Sequence, residues 1–240
     1  GVYSFLAGVR CMHRYRDYLA HENDILEPIS TEAMTKWQQI IDQGQLIGEH
    51  EALEMLSDNG IAANQSYGVD NLDEATESAK KLGYPVVLKT AVSGISHKSE
   101  VHGVHLNLTS EDELRGAYED LEKRLGSKAL ISPMIDNEGV EMILGMITDP
   151  QFGPMITLGF GGVYAEALKD VATLMPPFSA ETAEQALSEL KMESLLYGYR
   201  GSEALDVESY CKMASKFSLF ALAMRNHICE IDVNPIILGN

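Results

Sequence analysis

Positive charge is scarce in this chain: 18 lysines and arginines face 36 aspartates and glutamates in 240 residues, a formal charge of -18. Binding along a nucleic-acid backbone needs clustered cations, so no nucleic-acid partner is expected. No membrane partner is expected either, because an anionic surface repels such a chain. Long apolar runs are absent, none approaching the ~20 residues of a spanning helix. Cysteine is nearly absent too. Cys11, Cys211 and Cys229 are isolated, with no C-x-x-C pair, which argues against a zinc site or disulfide framework and for a reduced, cytoplasmic setting. No signal peptide is recognisable, and the first residue is Gly rather than Met, so a fragment of a longer protein is expected. Two common nucleotide signatures also fail. No Gly-Lys-Ser/Thr follows a spaced glycine, and after Gly159 and Gly161 the last glycine of a dinucleotide fingerprint is replaced by Tyr164.

What is present is an alternation of helical and extended patterns without a strict parallel-sheet rhythm, α+β in character with two lobes. Residues 1–5 read as the end of a strand, and residues 6–19 as a helix with Leu6, Val9 and His13 on one side. Residues 23–44 read as a linker holding a short helix around Trp37. Beyond it, Ala52, Leu53 and Leu56 share a helical face, as do Leu72, Ala75, Ala79 and Leu82, each helix stopped by a glycine, Gly60 and Gly83. Residues 84–89 form an apolar strand. Residues 101–108 alternate, with Val104, Leu106 and Leu108 predicted on one face. Ser110 and Glu113 form a capping-box pair, and Leu114, Ala117, Leu121 and Leu125 give the stripe behind it. Strands are predicted at 129–132, 140–147, 155–158 and 228–233, the last broken by Asn234-Pro235, with helices from Ser179 and over 206–225.

Several of these places carry chemistry. The strand 84–89 ends in Lys89, and an ammonium delivered by a buried strand is costly unless it meets an anion. Read alone, Lys89 is equally compatible with a lysine that reaches solvent or a nearby carboxylate. His97 and Lys98 follow in a small-residue loop. An imidazole nitrogen accepts a phosphoryl group near neutral pH, and an adjacent cation offsets its charge; an ordinary loop histidine beside a solvated lysine is the plain alternative. His97, His102 and His105 lack a carboxylate partner at ligand spacing, which argues against a metal there. Gly159, Gly161 and Gly162 would let backbone N–H groups approach a phosphate, or simply close a tight turn. Glu230, Asp232 and Asn234 alternate along a strand and share a face, an oxygen set suited to Mg2+ or a merely polar edge.

The ordered set is more specific than its parts. Leu82-Gly83-Tyr84-Pro85-Val86-Val87-Leu88-Lys89, Ile95-Ser96-His97-Lys98-Ser99, Gly103-Val104, Gly139-Val140-Glu141, Asp149-Pro150-Gln151-Phe152-Gly153-Pro154, Gly159-Phe160-Gly161-Gly162-Val163-Tyr164-Ala165-Glu166, Tyr199-Arg200-Gly201 and Asp232-Val233-Asn234-Pro235 resemble, in order, the motifs of the ATP-grasp domain of ADP-forming (NDP-forming) acyl-CoA synthetases, within the succinyl-CoA-synthetase-like superfamily. The resemblance spans residues 46–240 and implies an ATP-grasp fold whose two α/β lobes enclose a nucleotide cleft. The domain would occupy residues 45–240, its C-terminal strand truncated, and residues 1–22 look like the end of a preceding CoA-ligase domain.

By that resemblance Lys89 would hold the α/β phosphates. The backbone at Ser132, Met134 and Ile135 would border the adenine, and Glu141 would reach the ribose or base. Gly161 and Gly162 would lie over the phosphates, with Ser96 and Glu166 among the nucleotide-binding residues. Asp232 and Asn234 would face magnesium. His97 would carry phosphate, helped by Lys98 and Arg200. The cofactors implied are ATP and Mg2+. The partners implied are ATP/ADP and the CoA-binding and CoA-ligase domains of the same longer chain or of a partner subunit, in an oligomer. The family reaction interconverts an acid, CoA and ATP with acyl-CoA, ADP and phosphate, and this part alone would bind ATP without making the thioester. Three departures stand out: His102 where a glycine is usual, Leu174 where an arginine is expected, and an end at Asn240 before a second magnesium-binding aspartate. The first two keep a second reading open, a degenerate ATP-grasp module with a structural or regulatory role in a synthetase-like acyltransferase. A carboxylate–amine ligase of the same fold is a third.

Overall fold

A computed structural model describes residues 1–20, 26, 28–45, 47–95, 98, 100–135, 139–162 and 170–240. Two antiparallel four-stranded sheets form its frame. The first has the order β1 (Tyr67–Val69), β4 (Ala129–Pro133), β2 (Val86–Thr90), β3 (Val104–Leu108). The second has the order β7 (Val171–Leu174), β6 (Gly153–Phe160), β5 (Val140–Asp149), β8 (Glu230–Leu238).

Each sheet buries one face under its own helices. On the first, Val86, Leu88, Ala129 and Ile131 pack against α4 (Leu72–Leu82) and α5 (Glu111–Leu125) through Ala75, Ala79, Leu114, Tyr118 and Leu121. The predicted stops hold: Asn71 caps α4 by accepting from the Glu74 N–H, and Gly83 (φ 82°) ends it. At α5, Ser110 accepts from the Glu113 N–H, while the Glu113 carboxylate reaches the backbone and hydroxyl of Thr109. On the second sheet, Met142, Leu144, Met146, Ile156, Leu158 and Phe160 join α6 (Ala180–Leu187) and α7 (Val207–Met224) in a larger core. Two earlier helices share it: Met34 and Trp37 of α2 (Thr31–Asp42), and Met55 and Leu56 of α3 (Glu49–Asp58).

Four local expectations are corrected. Residues 1–5 are not a strand, because α1 runs unbroken over Val2–Ala20. None of its described side chains is buried: Val2, Tyr3, Phe5, Leu6, Met12 and Tyr15 are exposed, and Arg10 pairs loosely with Glu189. The extended stretch 101–108 starts only at Val104, since residues 101–102 form a turn. Within β3, Leu106 does not share the buried face with Leu108. His105 opposes Leu88 and Leu108 opposes Val86, so β3 carries one extra residue there; Asn107 takes φ 55° in this bulge and Leu106 is turned out, 60% exposed. The last strand also outlasts Asn234-Pro235. Leu144 pairs with Val233 and Met142 with Ile236, a second bulge that absorbs the proline on an edge strand. The carbonyl of Ile143, at this bulge, accepts from the hydroxyl of buried Tyr210 at 2.6 Å. Periodicity also missed two short strands, β1 and β7, of three and four residues.

His102 has a backbone conformation that suits glycine. Its φ is 51°, a left-handed backbone that costs an L-residue roughly 1–2 kcal/mol. The turn is held from outside by Arg124, which donates to the carbonyls of Val101 and His102 and pairs with Asp120. His102→Gly is therefore expected to stabilise the protein by about 0.5–1 kcal/mol, after subtraction of the extra unfolded-state entropy of glycine. A higher midpoint of denaturant unfolding checks it.

Candidate functional site

Alternation along the strands decides what lies opposite the helices. On β2, Lys89 points to the face away from α4 and α5, since Val86 and Leu88 take the covered face. Lys89 opposes Leu130, and Val87 opposes Ser132, so Ser132 shares the face of Lys89. Met134 follows at the end of β4 with its N–H already donated to the Pro85 carbonyl at 3.0 Å. It therefore offers a ligand its carbonyl and side chain but no N–H. Ile135 beside it is exposed.

Lys89 and Lys98 meet. Lys89 Nζ donates to Glu49 Oε1 at 2.8 Å, and Lys98 Nζ donates to Glu49 Oε2. One cation comes from a strand end and the other from the loop after it, and both converge on the first residue of α3. The three side chains are 32%, 23% and 33% exposed for Lys89, Lys98 and Glu49. Burial alone would raise the Glu49 carboxyl, but the hydrogen bonds and charges of Lys89 and Lys98 outweigh it and hold its pKa below the usual carboxylate range. The backbone brings Lys98 back to the sheet: its carbonyl accepts from the Gly103 N–H at 2.7 Å, and the Gly103 carbonyl accepts from the Thr90 N–H at 2.7 Å. A cleft of about 870 Å³ opens beside the triad, lined among others by Glu49, His50, Lys98, Lys128 and residues 91–95.

On the second sheet, Glu141, Ile143 and Gly145 lie opposite the core-facing Met142 and Leu144. Here Glu141 meets the glycine pair. Its carbonyl accepts from the Gly161 N–H at 2.7 Å, and a side chain at Gly162 would overlap its carboxylate. Gly162 also has φ 55°, a backbone that favours glycine, whereas the Glu141 carboxylate is the end of a flexible side chain that can shift. A Cβ at Gly161 would press on the Met142 backbone at 3.1 Å. Asp232 opposes Gly145 on β8, and the exposure of Glu230, Asp232 and Asn234 alternates as predicted, all three on the uncovered face. Burial, then the Glu230 charge, pushes the Asp232 carboxyl above the usual range. Two carboxylates and an amide suit a hard ion that takes its remaining ligands from phosphate and water, as Mg2+ does. Among the described residues no group of three His, Cys, Asp or Glu gathers into a self-sufficient metal cage.

Arg200 lies on an exposed turn with φ 54°, its guanidinium 5.3 Å from the Tyr199 ring centroid. Leu174 ends edge strand β7, opposite Ile156 and packed on the core side. Ser96, His97 and Glu166 lie outside the described residues. Glu49 is the residue that sequence reasoning missed. Its helix was legible, but nothing local announces partners 40 and 49 positions away.

A protein-family model described as an ATP-grasp domain matches residues 39–240. Trans-feruloyl-CoA synthase from an unknown prokaryotic organism is 37% identical over 200 residues, 80% of this chain but 28% of that protein. The beta subunit of an ADP-forming acetate–CoA ligase II from Pyrococcus furiosus is 33% identical over 214 residues, 85% of this chain and 90% of that subunit. Among solved structures, the dinucleotide-forming acetyl-coenzyme A synthetase 1 of Ca. Korarchaeum cryptofilum, in complex with coenzyme A and Mg-AMPPCP, is 33% identical, with a TM-score of 0.75 over 86% of this chain and 93% of that one. The chain thus spans little more than a quarter of some relatives and most of others, which are separate β subunits. Among the described residues no helix is long and apolar enough to cross a membrane.

Proposed function

The chain belongs to the ATP-grasp domain family, and on that premise we propose that it is the nucleotide-binding, phosphoryl-transfer part of an ADP-forming acid–CoA ligase. The observation that carries the reading is the convergence of Lys89 and Lys98 on one carboxylate oxygen pair. Two ammonium groups within hydrogen-bond reach of one small anion can hold a phosphate in the same way. Lys89 holds the nucleotide's phosphates at the strand end. Gly161 and Gly162 bring backbone close enough to cover them, and Glu141, against Gly162, takes the ribose or base side. Ser132, Met134 and Ile135 border the base, with Ser96 and Glu166 completing the nucleotide contacts. Mg2+, when bound, neutralises phosphate charge and is held by Asp232 and Asn234, an oxygen pair that fits it.

His97 then takes the γ-phosphoryl group: its ring nitrogen forms the bond to phosphorus as the bond to the ADP oxygen breaks, and ADP leaves with that electron pair. Lys98 and Arg200 offset the charge transferred. The carrier passes phosphate on to CoA-binding and CoA-ligase domains, in the same longer chain or in a partner subunit. Residues 1–22 are assigned to the end of such a domain; the exposed apolar side chains of α1 support that. The related synthetase solved with Mg-AMPPCP supports ATP and Mg2+ as ligands.

The test is phosphoryl transfer. The protein incubated with Mg2+ and γ-labelled ATP should acquire acid-labile label, and peptide mapping should place it at His97. A protein that binds Mg-ATP yet takes no label would instead be the degenerate module.

A further inference from the structure

Glu49 has a role that the reaction itself does not demand. It is the first residue of α3, whose far end is anchored by Met55 and Leu56 in the core of the second sheet. Its carboxylate nevertheless reaches two lysines of the first sheet and its loop. The start of α3 is pinned independently. Glu51 accepts from the Gly48 N–H at 3.0 Å, His50 Nδ1 lies 3.0 Å from Ser66 Oγ, and the His50 ring lies against Gly68 of β1. The carboxylate is therefore presented from a fixed helix terminus rather than from a mobile tail. Both of its oxygens are occupied, one by each lysine.

We infer that Glu49 is the resident counter-anion of the phosphate site, holding Lys89 and Lys98 in place until a nucleotide phosphate displaces it, and so setting nucleotide affinity. The inference rests on the proposed function. Its physical basis is charge. Two lysines alone leave +2 at the site, Glu49 lowers this to +1, and an incoming phosphate must break the charge-assisted bonds that Glu49 already makes. A resident carboxylate thus preorganises both ammonium groups and at the same time weakens the ligand that replaces it. It also links the two cores through a contact that the ligand releases.

Mg-ATP titrations of wild type, Glu49→Gln and Glu51→Gln test this. A carboxamide oxygen accepts from one lysine without neutralising either. Glu49→Gln is expected to bind Mg-ATP about fivefold more tightly, the equivalent of a strong partly exposed ion pair. Its affinity should also fall more steeply with added salt, because the site carries one more positive charge. Glu51→Gln removes one negative charge at the same helix end, keeps a carboxamide oxygen for the Gly48 N–H and touches neither lysine; its affinity and salt dependence should change far less than those of Glu49→Gln. Should Glu49→Gln fail to fold, Glu49→Ala, which removes the charge and both lysine contacts, must tighten binding instead. Equal or weaker binding by the Glu49 variant, with wild type binding normally, overturns the counter-anion role and spares the proposed function. Absence of binding by wild type overturns both.

Discussion

Lys89→Met should lower the affinity for Mg-ATP at least a hundredfold, a loss of about 2.7 kcal/mol, while the fold survives nearly intact. The two halves of that expectation have separate causes. Methionine keeps the length and apolar stem of the side chain, so packing on the strand changes little. Without a ligand, the group deprived among the described residues is Glu49, which keeps Lys98. At about one-third exposure, the lost pair contributes about 1 kcal/mol or less.

In the complex the balance is different. A phosphate held at the end of β2 would lose a charge-assisted donor, and truncating one member of a hydrogen-bonded charge pair in a binding site costs roughly 2–5 kcal/mol. The pH sets when the small structural cost is seen. Because Glu49 is held below the usual carboxylate range when folded, its pairs stabilise above the unfolded carboxylate pKa and are lost as pH falls through the folded one. At neutral pH both halves of the contrast are fully developed. Titration calorimetry beside thermal unfolding measures them, with Lys80→Met as control, since Lys80 sits on α4 and pairs with Glu111. Unchanged affinity in Lys89→Met would remove the basis for a phosphate site here.

Local chemistry made most of the fold readable before any coordinates. Asn71, Ser110, Ser179 and Asp206 each accept a backbone N–H at a helix start, and the apolar stripes behind them are the buried ones. What failed was geometry that period-two alternation cannot register. Asn107 and the Asn234-Pro235 step each add a residue to one strand, so Leu106 moves off the core face and β8 runs on past a proline. Strands as short as β1 contain too few residues for a period to show.

The candidate site divided along the same line. Lys89, Gly162 and Asp232 drew attention in the sequence because each is tied to its own strand or loop, and Glu141 did so only through the resemblance; the structure brings Lys89 together with Lys98, and Glu141 with Gly161 and Gly162. Glu49 was not recognisable, because its meaning lies in two contacts made across the chain. In sequence it is one more acid at a helix start, where acids are common for the helix dipole alone.

Asp232→Asn should separate stability from metal binding, with opposite signs. In the empty protein the Asp232 carboxyl is raised above its usual range, first by burial and then by the charge of Glu230. A raised carboxyl pKa means that the folded state favours the protonated form, so its contribution to stability is lost as pH rises through the folded pKa. At neutral pH the ionised Asp232 therefore works against folding, and the neutral isostere should raise the melting temperature when no ligand is present. The same ionised oxygen is what a magnesium ion would offset. Replacing it should lower Mg-ATP affinity about tenfold or more, since even losing a partner that only orients a metal ligand costs roughly 10–100-fold, and should leave metal-free ATP binding unchanged or improved. The wild-type affinity should also weaken with acid sooner than an ordinary aspartate would allow, because protonation begins at higher pH. Melting curves without ligand, and Mg-ATP titrations across pH, measure both signs. An Asp232→Asn protein that melts lower than wild type and binds Mg-ATP equally well would mean that this carboxylate supports the strand edge and faces no metal.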